Sequence, residues 1–419
     1  MKNLQRGIAP NKQGGQVLPL TLVGVALACA MMFMMINTGN RATEKIRVAN
    51  IADSAALSAA TVTAQQLNSI AYLNRAMVAN HIGAGHMTAY ISWIRYVDEA
   101  MDRLEDITNY IPYVNVATDV LEALAYTARV LSEPYGTAYL VVVDSVNKVF
   151  STAQFEMIQM LPVMVPTVMQ GVVSESDADV KLNTEALGDF HPVEAGTIGS
   201  GIAFQTFRLL QFAKTYGVQD LNREIYNTVE ASYGRSNQKY RGNMSKDWLG
   251  KREWDKYLIR KEFGNSHRLN GNGLKWCSDD KIQIRETYTA SWITFASGDA
   301  CSSELYGAYQ GINQFAGLTS QENKHQAIHM LAATSKSFDD IYSREGFGFE
   351  DNLSTNAVTA LAIAQVEFVR PLNMSLFNSI NEDEYANLYN PVWRARLVGS
   401  GMSDLQKITK TASEWRDNL

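Results

Sequence analysis

Two histidines with the spacing of a helical zinc site are the first candidates for chemistry in this sequence of 419 residues. His325 and His329 lie four positions apart, which places two imidazoles on one face of a helix. A helical metalloprotease has its general-base glutamate directly after the first histidine. Gln326 stands at that position, and no third ligand can be assigned from the sequence. We therefore interpret the pair as surface residues of a helix.

A second candidate is the segment YLVVVDSVNK, residues 139–148, which resembles a strand followed by an Asp-x-Ser-x-Ser metal site. Hard cations require oxygen ligands, and Val146 and Lys148 replace both hydroxyl residues of that pattern. The sequence also contains no GxxxxGK[ST] phosphate loop, no GxSxG nucleophile elbow and no CxxC pair. It therefore predicts no catalytic residue, no metal site and no cofactor, and we do not expect an enzyme.

Cysteine chemistry is limited to one possible disulfide. The chain has three cysteines, and Cys29 lies within an apolar run, which leaves Cys277 and Cys301 as the candidate pair. These two flank Ile282–Phe295, a segment rich in Ile, Thr, Tyr and Trp that predicts one or two β-strands. A hairpin-like return would bring the cysteines together, and the bond would persist in an oxidising compartment.

The N-terminal region contains the longest apolar run. Val17 to Ile36 is apolar except for Thr21, and no charged residue occurs between Lys12 and Arg41. A bilayer core of about 30 Å requires about 20 helical residues, whereas a signal peptide has an apolar core of about 7–15 residues. The run therefore predicts an uncleaved membrane anchor. A cleaved leader and a buried soluble helix are the alternatives.

Flanking charge favours one orientation of this anchor. The basic residues around it are Lys2, Arg6 and Lys12 on one side and Arg41, Lys45 and Arg47 on the other. Glu44 offsets part of the second group, so the positive-inside rule favours a cytoplasmic N-terminus. We expect a cytoplasmic tail at 1–16, a transmembrane helix at 17–38 and an extracytoplasmic remainder, with no later segment that crosses back.

Small and apolar residues continue beyond the span at spacings of three and four, which is one face of a helix. This predicted packing stripe consists of Ala49, Ala52, Ala56, Ala60, Thr63, Leu67, Ile70 and Asn74. Because no proline separates it from the span, we predict one nearly continuous helix from about Leu18 to about Asn80, with residues 39–85 as its amphipathic continuation. The stripe would pack either on the rest of the chain or on another subunit.

Several segments resemble the TadE/TadG-like proteins of tight-adherence (Flp-type) pilus assembly. The N-terminal ones are QGGQVLPLTLVGVALA and RVANIADSAALSAA, and the others are Ala64–Ile82 and EYANLYNPVWRARL at Glu384–Leu397. The resemblance implies a single-pass protein of the bacterial inner membrane with a periplasmic or surface-exposed domain. It implies other pilus-assembly proteins or pseudopilins as partners, and self-association through the N-terminal helix. A pilin-like filament subunit is the alternative, although Leu20 stands where pseudopilins carry a glutamate.

The remaining sequence predicts a mainly α fold with a small β-containing insert. We expect a helical domain at 86–234, with helices at Met87–Ile107, Val114–Leu131 and Ala138–Met160 and a break at Pro162 and Pro166. Helices are also expected near Ile202–Tyr216 and Val218–Tyr233. In a C-terminal helical region at 306–419, they are expected at Gln321–Tyr342 and Thr355–Val369.

A basic, aromatic insert interrupts these helices at 235–305. Its part from Arg235 to Trp276 has eleven basic and four acidic residues, although the whole chain has a net charge of −6. An overall acidic chain outside the cytoplasm is not expected to bind nucleic acid. The insert could instead serve a membrane-anchored adhesion module that binds an anionic partner. The candidate residues are Lys251, Arg252, Trp254, Arg260 and Lys261.

Replacing Val25 and Met32 with arginine tests the anchor. Each charge at the centre of a span costs about 2.5–3.5 kcal/mol on insertion scales, so the double variant should be released or fail to insert. Membrane fractionation measures this outcome. An unchanged distribution of the double variant would contradict the prediction.

Overall fold

Two long antiparallel helices and three β-sheets form the described part of the chain. The computed structural model describes residues 17–109, 114–182, 218–220, 225, 229, 252–256, 258–270, 273–286, 289, 291–312, 314–316, 328–337, 341, 357–369 and 386–399. Helix is the predominant structure among them. The predicted helix at Ile202–Tyr216 lies outside these residues, and Val218–Tyr233 is described only in part.

Helix α1, Val17–Thr108, is a single helix of 92 residues, about 140 Å long at 1.5 Å per residue. The prediction of a continuous helix from Leu18 to Asn80 is confirmed. The separately predicted helix at Met87–Ile107 is the end of the same element. The first part of α1 is long and apolar enough to cross a membrane, and its most apolar window is fully exposed. By these criteria it is a membrane span or a signal sequence.

Helix α2, Val114–Ser176, returns along α1. Arg47 near the start of the body pairs with Asp177 just after α2, and Thr108 contacts Thr118 at the distal end. The predicted interruption between Leu131 and Ala138 is wrong, because α2 continues through Pro134. Interior proline costs about 3 kcal/mol in a helix, but the packing of the flanking turns outweighs that cost.

The expected break at Pro162 is present only as a bend. Asn115–Leu161 and Val163–Ser176 meet at an angle of 51°, and together they pass the same length and hydropathy test as the N-terminal span. This second candidate span was not predicted. Leu161, Val165 and Met169 are nevertheless buried in the core of the body.

The strands and a short third helix follow α2 in chain order. They are β1 Val180–Leu182, β2 Val218–Asp220, β3 Arg252–Lys256, β4 Ile259–Phe263, β5 Asn265–Asn270, β6 Gly273–Arg285, β7 Trp292–Cys301, α3 Ser302–Leu305, β8 Gln314–Ala316, β9 Ile328–Ser337, β10 Ala357–Phe368 and β11 Trp393–Val398. One sheet has the order β1-β9-β10-β11, and β2 pairs with β8. In the third sheet β6 pairs with β4 and β5 along one edge and with β7 along the other.

The predicted C-terminal helical region is wrong where the structure describes it. Gln321–Tyr342 contains strand β9, and Thr355–Val369 contains strand β10. Val218, predicted to begin a helix, begins β2. His329 therefore lies on a strand, so the helical zinc spacing is not realised, and His325 lies outside the described residues. The predicted strands of the insert are confirmed, since β6 and β7 form an antiparallel hairpin.

Alanine explains the misassigned strands. Alanine has the highest helix propensity, and β9 and β10 contain several alanines that pack on the alanines of α1. Nearly every residue of β9 is buried, so the alternation that marks a half-exposed strand is missing. Small residues on both sides let sheet and helix approach closely, and the Thr334 hydroxyl donates to the Val48 carbonyl at 3.2 Å.

The β6–β7 hairpin packs on α1 farther from the span. Ser92 donates to the Asp280 carboxylate at 2.6 Å and the Gly298 carbonyl at 2.8 Å. A Cβ atom at Gly298 would lie closer than 3.0 Å to the backbone of Ser92 and Tyr96. Glycine is therefore required here by the close approach of strand β7 to helix α1.

We expect Gly298→Ala to lower the free energy of unfolding by at least about 3 kcal/mol, because backbone atoms on both sides cannot move apart easily. Gly307→Ala is the matched control, since its added methyl group would meet open space. Chemical denaturation of the detergent-solubilised chain, followed by circular dichroism, measures both. Equal stability of the two variants would contradict the described packing.

Candidate functional site

The predicted packing stripe of α1 lies in the core of its own chain. Ala52, Ala56, Ala60, Thr63, Leu67, Ile70 and Asn74 are all 0% exposed, and Ala49 is half-buried. The residues that cover this face come from α2, β9, β10 and β11. Of the two possibilities left open by the sequence, the structure supports packing within the chain. The face also includes Val48, Ile51 and Ala55, which the predicted stripe omitted.

Asn68 of α1 binds the backbone of β11 as a neighbouring strand would. Its amide nitrogen donates to the Trp393 carbonyl at 3.0 Å, and its amide oxygen accepts from the Trp393 nitrogen at 2.9 Å. The Trp393 indole is buried and donates to the Asn387 carbonyl at 3.0 Å. Two of the segments that carry the family resemblance, Ala64–Ile82 and Glu384–Leu397, thus contact each other directly.

A second polar contact lies two turns farther along α1. Asn74, which is completely buried, donates to the Leu388 carbonyl. Gln154 of α2 donates to the Asn74 side-chain oxygen and, at 3.5 Å, to the Ile70 carbonyl. Buried amides without partners are costly, so this network fixes the relative positions of α1, α2 and the segment before β11.

An ionic cluster joins three elements where α1 leaves its apolar segment. Lys336 of β9 is 5% exposed, and its Nζ atom lies 2.9 Å from Asp177 and 3.4 Å from Glu44. Burial raises the pKa of Asp177, but hydrogen bonds from Lys336 and the Asp179 amide, together with nearby Arg47, produce a net lowering. A lowered folded-state pKa stabilises the fold above the unfolded-state value, and this stabilisation is lost as the pH falls through the folded-state value.

Cys277 and Cys301 are joined by a disulfide, with their Cα atoms 4.1 Å apart. They lie directly opposite each other on β6 and β7. The bond therefore closes the hairpin whose other residues, Asp280 and Gly298, contact Ser92 of α1. Cys29 is the free cysteine among the described residues, and it is exposed.

A buried cluster contains a histidine of α1 and a tyrosine packed against it, two residue types that can do acid–base chemistry. His81 is 0% exposed, and its Nδ1 atom lies 2.7 Å from the Tyr309 hydroxyl. Burial, and then the charge of Asp144, raises the pKa of Tyr309 well above its ordinary value. The Trp276 indole donates to the His81 carbonyl at 2.8 Å. His81 and Tyr309 thus form a hydrogen-bonded pair that is shielded from solvent.

The segment 139–148, rejected above as a metal site, lies within helix α2 and so does not form a strand followed by a loop. The Asp144 carboxylate binds Lys148 at 2.7 Å and the Gln310 amide at 3.2 Å. Asn147 accepts from Asn80 at 3.1 Å. Among the described residues, no group of three or more His, Cys, Asp or Glu side chains is arranged to hold a metal ion.

The proposed anionic-partner surface is partly paired within its own sheet. Arg260 of β4 lies 2.7 Å from Glu262, which also accepts from Lys281 at 2.8 Å. Lys261 is half-buried. Arg252 and Trp254 belong to β3, with Trp254 opposite Lys261, while Lys251 lies outside the described residues. Four of the five candidates thus lie on the paired strands β3 and β4. The charge of one of them, Arg260, is offset by Glu262.

Sequence reasoning missed the polar contacts of Asn68, Gln154 and Lys336. Asn68 and Gln154 interrupt otherwise amphipathic helices, and a polar residue at such a position is a signal that could have been read. Lys336 gave no such signal, because its segment was predicted as a helix in which a lysine would be exposed.

We expect Asn68→Asp to lower the free energy of unfolding by about 1–3 kcal/mol at neutral pH. The carboxylate keeps the bond from the Trp393 nitrogen but cannot donate to the Trp393 carbonyl, which is left facing a negative charge. Asn50→Asp, at an exposed position of the same helix, is the matched control. Thermal unfolding by circular dichroism compares the variants, and equal melting temperatures would contradict the role of Asn68.

Comparison with known proteins identifies no relative. The chain matches no family model, no curated protein and no solved structure. Its function is therefore inferred from its own sequence and geometry.

Proposed function

We propose that this chain is a membrane-anchored structural component of a bacterial tight-adherence (Flp-type) pilus system, similar to TadG. In this proposal α1 is the single, uncleaved anchor in the inner membrane. The body acts without catalysis and without a cofactor. Its partners are the membrane and other pilus-assembly proteins or pseudopilins, and nucleic acid is not among them.

One observation carries the proposal: a single helix is apolar and exposed in its first part and has one completely buried face soon afterwards. The side chains of Leu20 and Met35 are 75% and 76% exposed. Val48, which lies between three and four turns after Met35 on the same helix, is 0% exposed. Exposed apolar surface of this size requires a lipid or protein environment. The same helix forms the centre of the body. Cleavage after the apolar run would therefore place a new chain terminus about three helical turns from the buried residue Val48.

The disulfide supports the proposed orientation. Disulfides persist in oxidising compartments such as the periplasm and the cell surface, and are rare in the cytoplasm. Cys277 and Cys301 belong to the body, so a body outside the cytoplasm and a tail inside it accord with both the bond and the flanking charge. The hydrogen bonds between Asn68 and Trp393 join two of the segments that resemble this family into one structural unit.

The two alternatives have weaker support. A filament subunit would use the helix face that here is covered by β9, β10 and β11. An adhesion module would use the basic insert, in which Glu262 already binds Arg260 and Lys281. Neither alternative explains the buried small-residue face of α1 as directly as a stable body attached to an anchor does.

Protease accessibility tests the proposed topology. We expect protease to digest the body in spheroplasts, while a short membrane-embedded fragment that begins at Met1 is protected. Sequencing the N-terminus of that fragment distinguishes an anchor from a cleaved leader. A body that becomes accessible only after cell lysis would overturn the orientation, and an N-terminus beyond Ile36 would overturn the anchor.

The role in pilus assembly requires a separate test in the host bacterium. Removing the chain should abolish tight-adherence pili, counted by electron microscopy, and the wild-type chain should restore them. The variant with arginine at positions 25 and 32 should fail to restore them, whereas Asn50→Asp should succeed. Normal pilus numbers without the chain would contradict the proposed function even if the topology is correct.

A further inference from the structure

One face of α2 carries exposed, uncharged residues at a regular seven-residue repeat. Nine residues of α2, spaced alternately three and four positions apart, are all exposed. We call them the α2 seam. They are Leu121, Leu124, Ala128, Leu131, Tyr135, Ala138, Val142, Ser145 and Val149. This alternation keeps residues on one side of a helix and is the spacing of a two-stranded coiled coil.

From Tyr135 to Val149 the seam lies opposite the side by which α2 packs on its own body. Leu140, Val143 and Asn147 are buried in that body, and in a helical projection they fall about half a turn from the seam. The large seam residues remain exposed: Leu124 by 61%, Tyr135 by 72% and Val149 by 64%. Residues needed for the fold of one chain are thus separate from the seam.

The chemistry of the seam excludes a highly charged partner. None of its nine residues is charged. In a helical projection the seam is bordered by Val120, Ala125, Thr127, Ser132, Pro134, Tyr139, Val141, Val146 and Lys148. Of these bordering residues Lys148 alone is charged, and it binds Asp144 at 2.7 Å. Anionic lipids or polymers would find no free cation there. An apolar helix with the same repeat would fit, and this chain supplies one.

The size of the seam suits a stable pair. Six large and three small exposed side chains present on the order of 800 Å² per copy, which matches the roughly 800 Å² that each partner contributes to a standard interface. The seam extends over 29 residues, about 42 Å of helix. Contiguous apolar patches of this size on monomers usually mark interaction sites.

We infer that the α2 seam binds the same seam of a second copy of this chain, with the two α2 helices parallel and in register. The orientation rests on the proposed membrane anchor, because two chains held in one membrane by α1 present residues of equal number at equal height. Each seam residue then meets its own counterpart, as in a parallel coiled coil, and the shared membrane raises the effective concentration of the second copy.

Cysteine cross-linking tests this inference in membranes that contain the full-length chain. In a Cys29→Ser background, Leu124→Cys should form a disulfide-linked product of twice the chain mass on mild oxidation. Tyr126→Cys is the matched control, since Tyr126 is 58% exposed but lies outside the seam. We expect about tenfold more linked product from Leu124→Cys than from Tyr126→Cys.

Three results would overturn the inference: no linked product from Leu124→Cys, equal amounts from both variants, or a product whose mass reveals a different protein. An antiparallel pair would separate the two copies of residue 124 by about 33 Å, so it too would give no product. Membrane fractionation of the same samples separates the two proposals. Cross-linking of a chain that does not associate with membranes would support pairing through the seam and overturn the anchor. Membrane association without cross-linking would overturn pairing through the seam and leave the anchor supported.

A second measurement does not depend on introduced thiols. Leu131→Glu combined with Val142→Glu should halve the mass of the detergent-solubilised chain in light scattering. Both residues are exposed in the single chain, by 58% and 60%, so circular dichroism should show unchanged helix content. Tyr126→Glu should leave the mass unchanged. A native chain that already has the mass of one copy would overturn the inference.

Discussion

The close approach that alanine permits along α1 is the constraint on which the rest of the body depends. From Val48 to Ile70 the buried face of this helix consists largely of alanine, and a methyl group contributes little hydrophobic free energy because its area is small. The strands that cover it must therefore lie close to the helix backbone. At that distance, side chains such as Thr334 and Asn68 reach backbone atoms directly, and hydrogen bonds supplement weak apolar packing.

The same long helix organises a second unit in a different way. Around His81 and Ser92 aromatic, polar and ionic contacts accompany a second buried apolar cluster. Arg95 joins α1 to Glu133 of α2 at 2.9 Å and to Glu304 of α3 at 2.8 Å. The disulfide stabilises the β6–β7 hairpin that docks there. The alanine-rich end of the body therefore depends on close packing of small residues, whereas the distal end adds specific polar pairs and one disulfide to its apolar cluster.

The helical half of the fold could be predicted from the sequence because its signals are local. An uncharged apolar run and a three-four repeat specify α1 from about Leu18 to about Asn80. The β6–β7 pairing also follows from residue type and from the two cysteines. Strands β9 and β10 could not be predicted in this way, because alanine favours helix intrinsically and becomes a strand residue only when a flat, closely packed helix face is already present. The Asn68 contact depends on the position of β11, so the polar residue in the helix signals a contact but does not identify its partner.

The hydrogen bonds between Asn68 and Trp393 join residues 325 positions apart, and this separation has a consequence during biosynthesis. At about 5–20 residues per second, roughly 15–60 s elapse between the synthesis of the alanine face and that of the strand that covers its middle. During this interval the alanine face of the nascent helix α1 is not yet covered by strands β9, β10 and β11. Helix α2, completed much earlier, is available to shield part of it, so the order of the elements along the chain limits how long the core is open to aggregation.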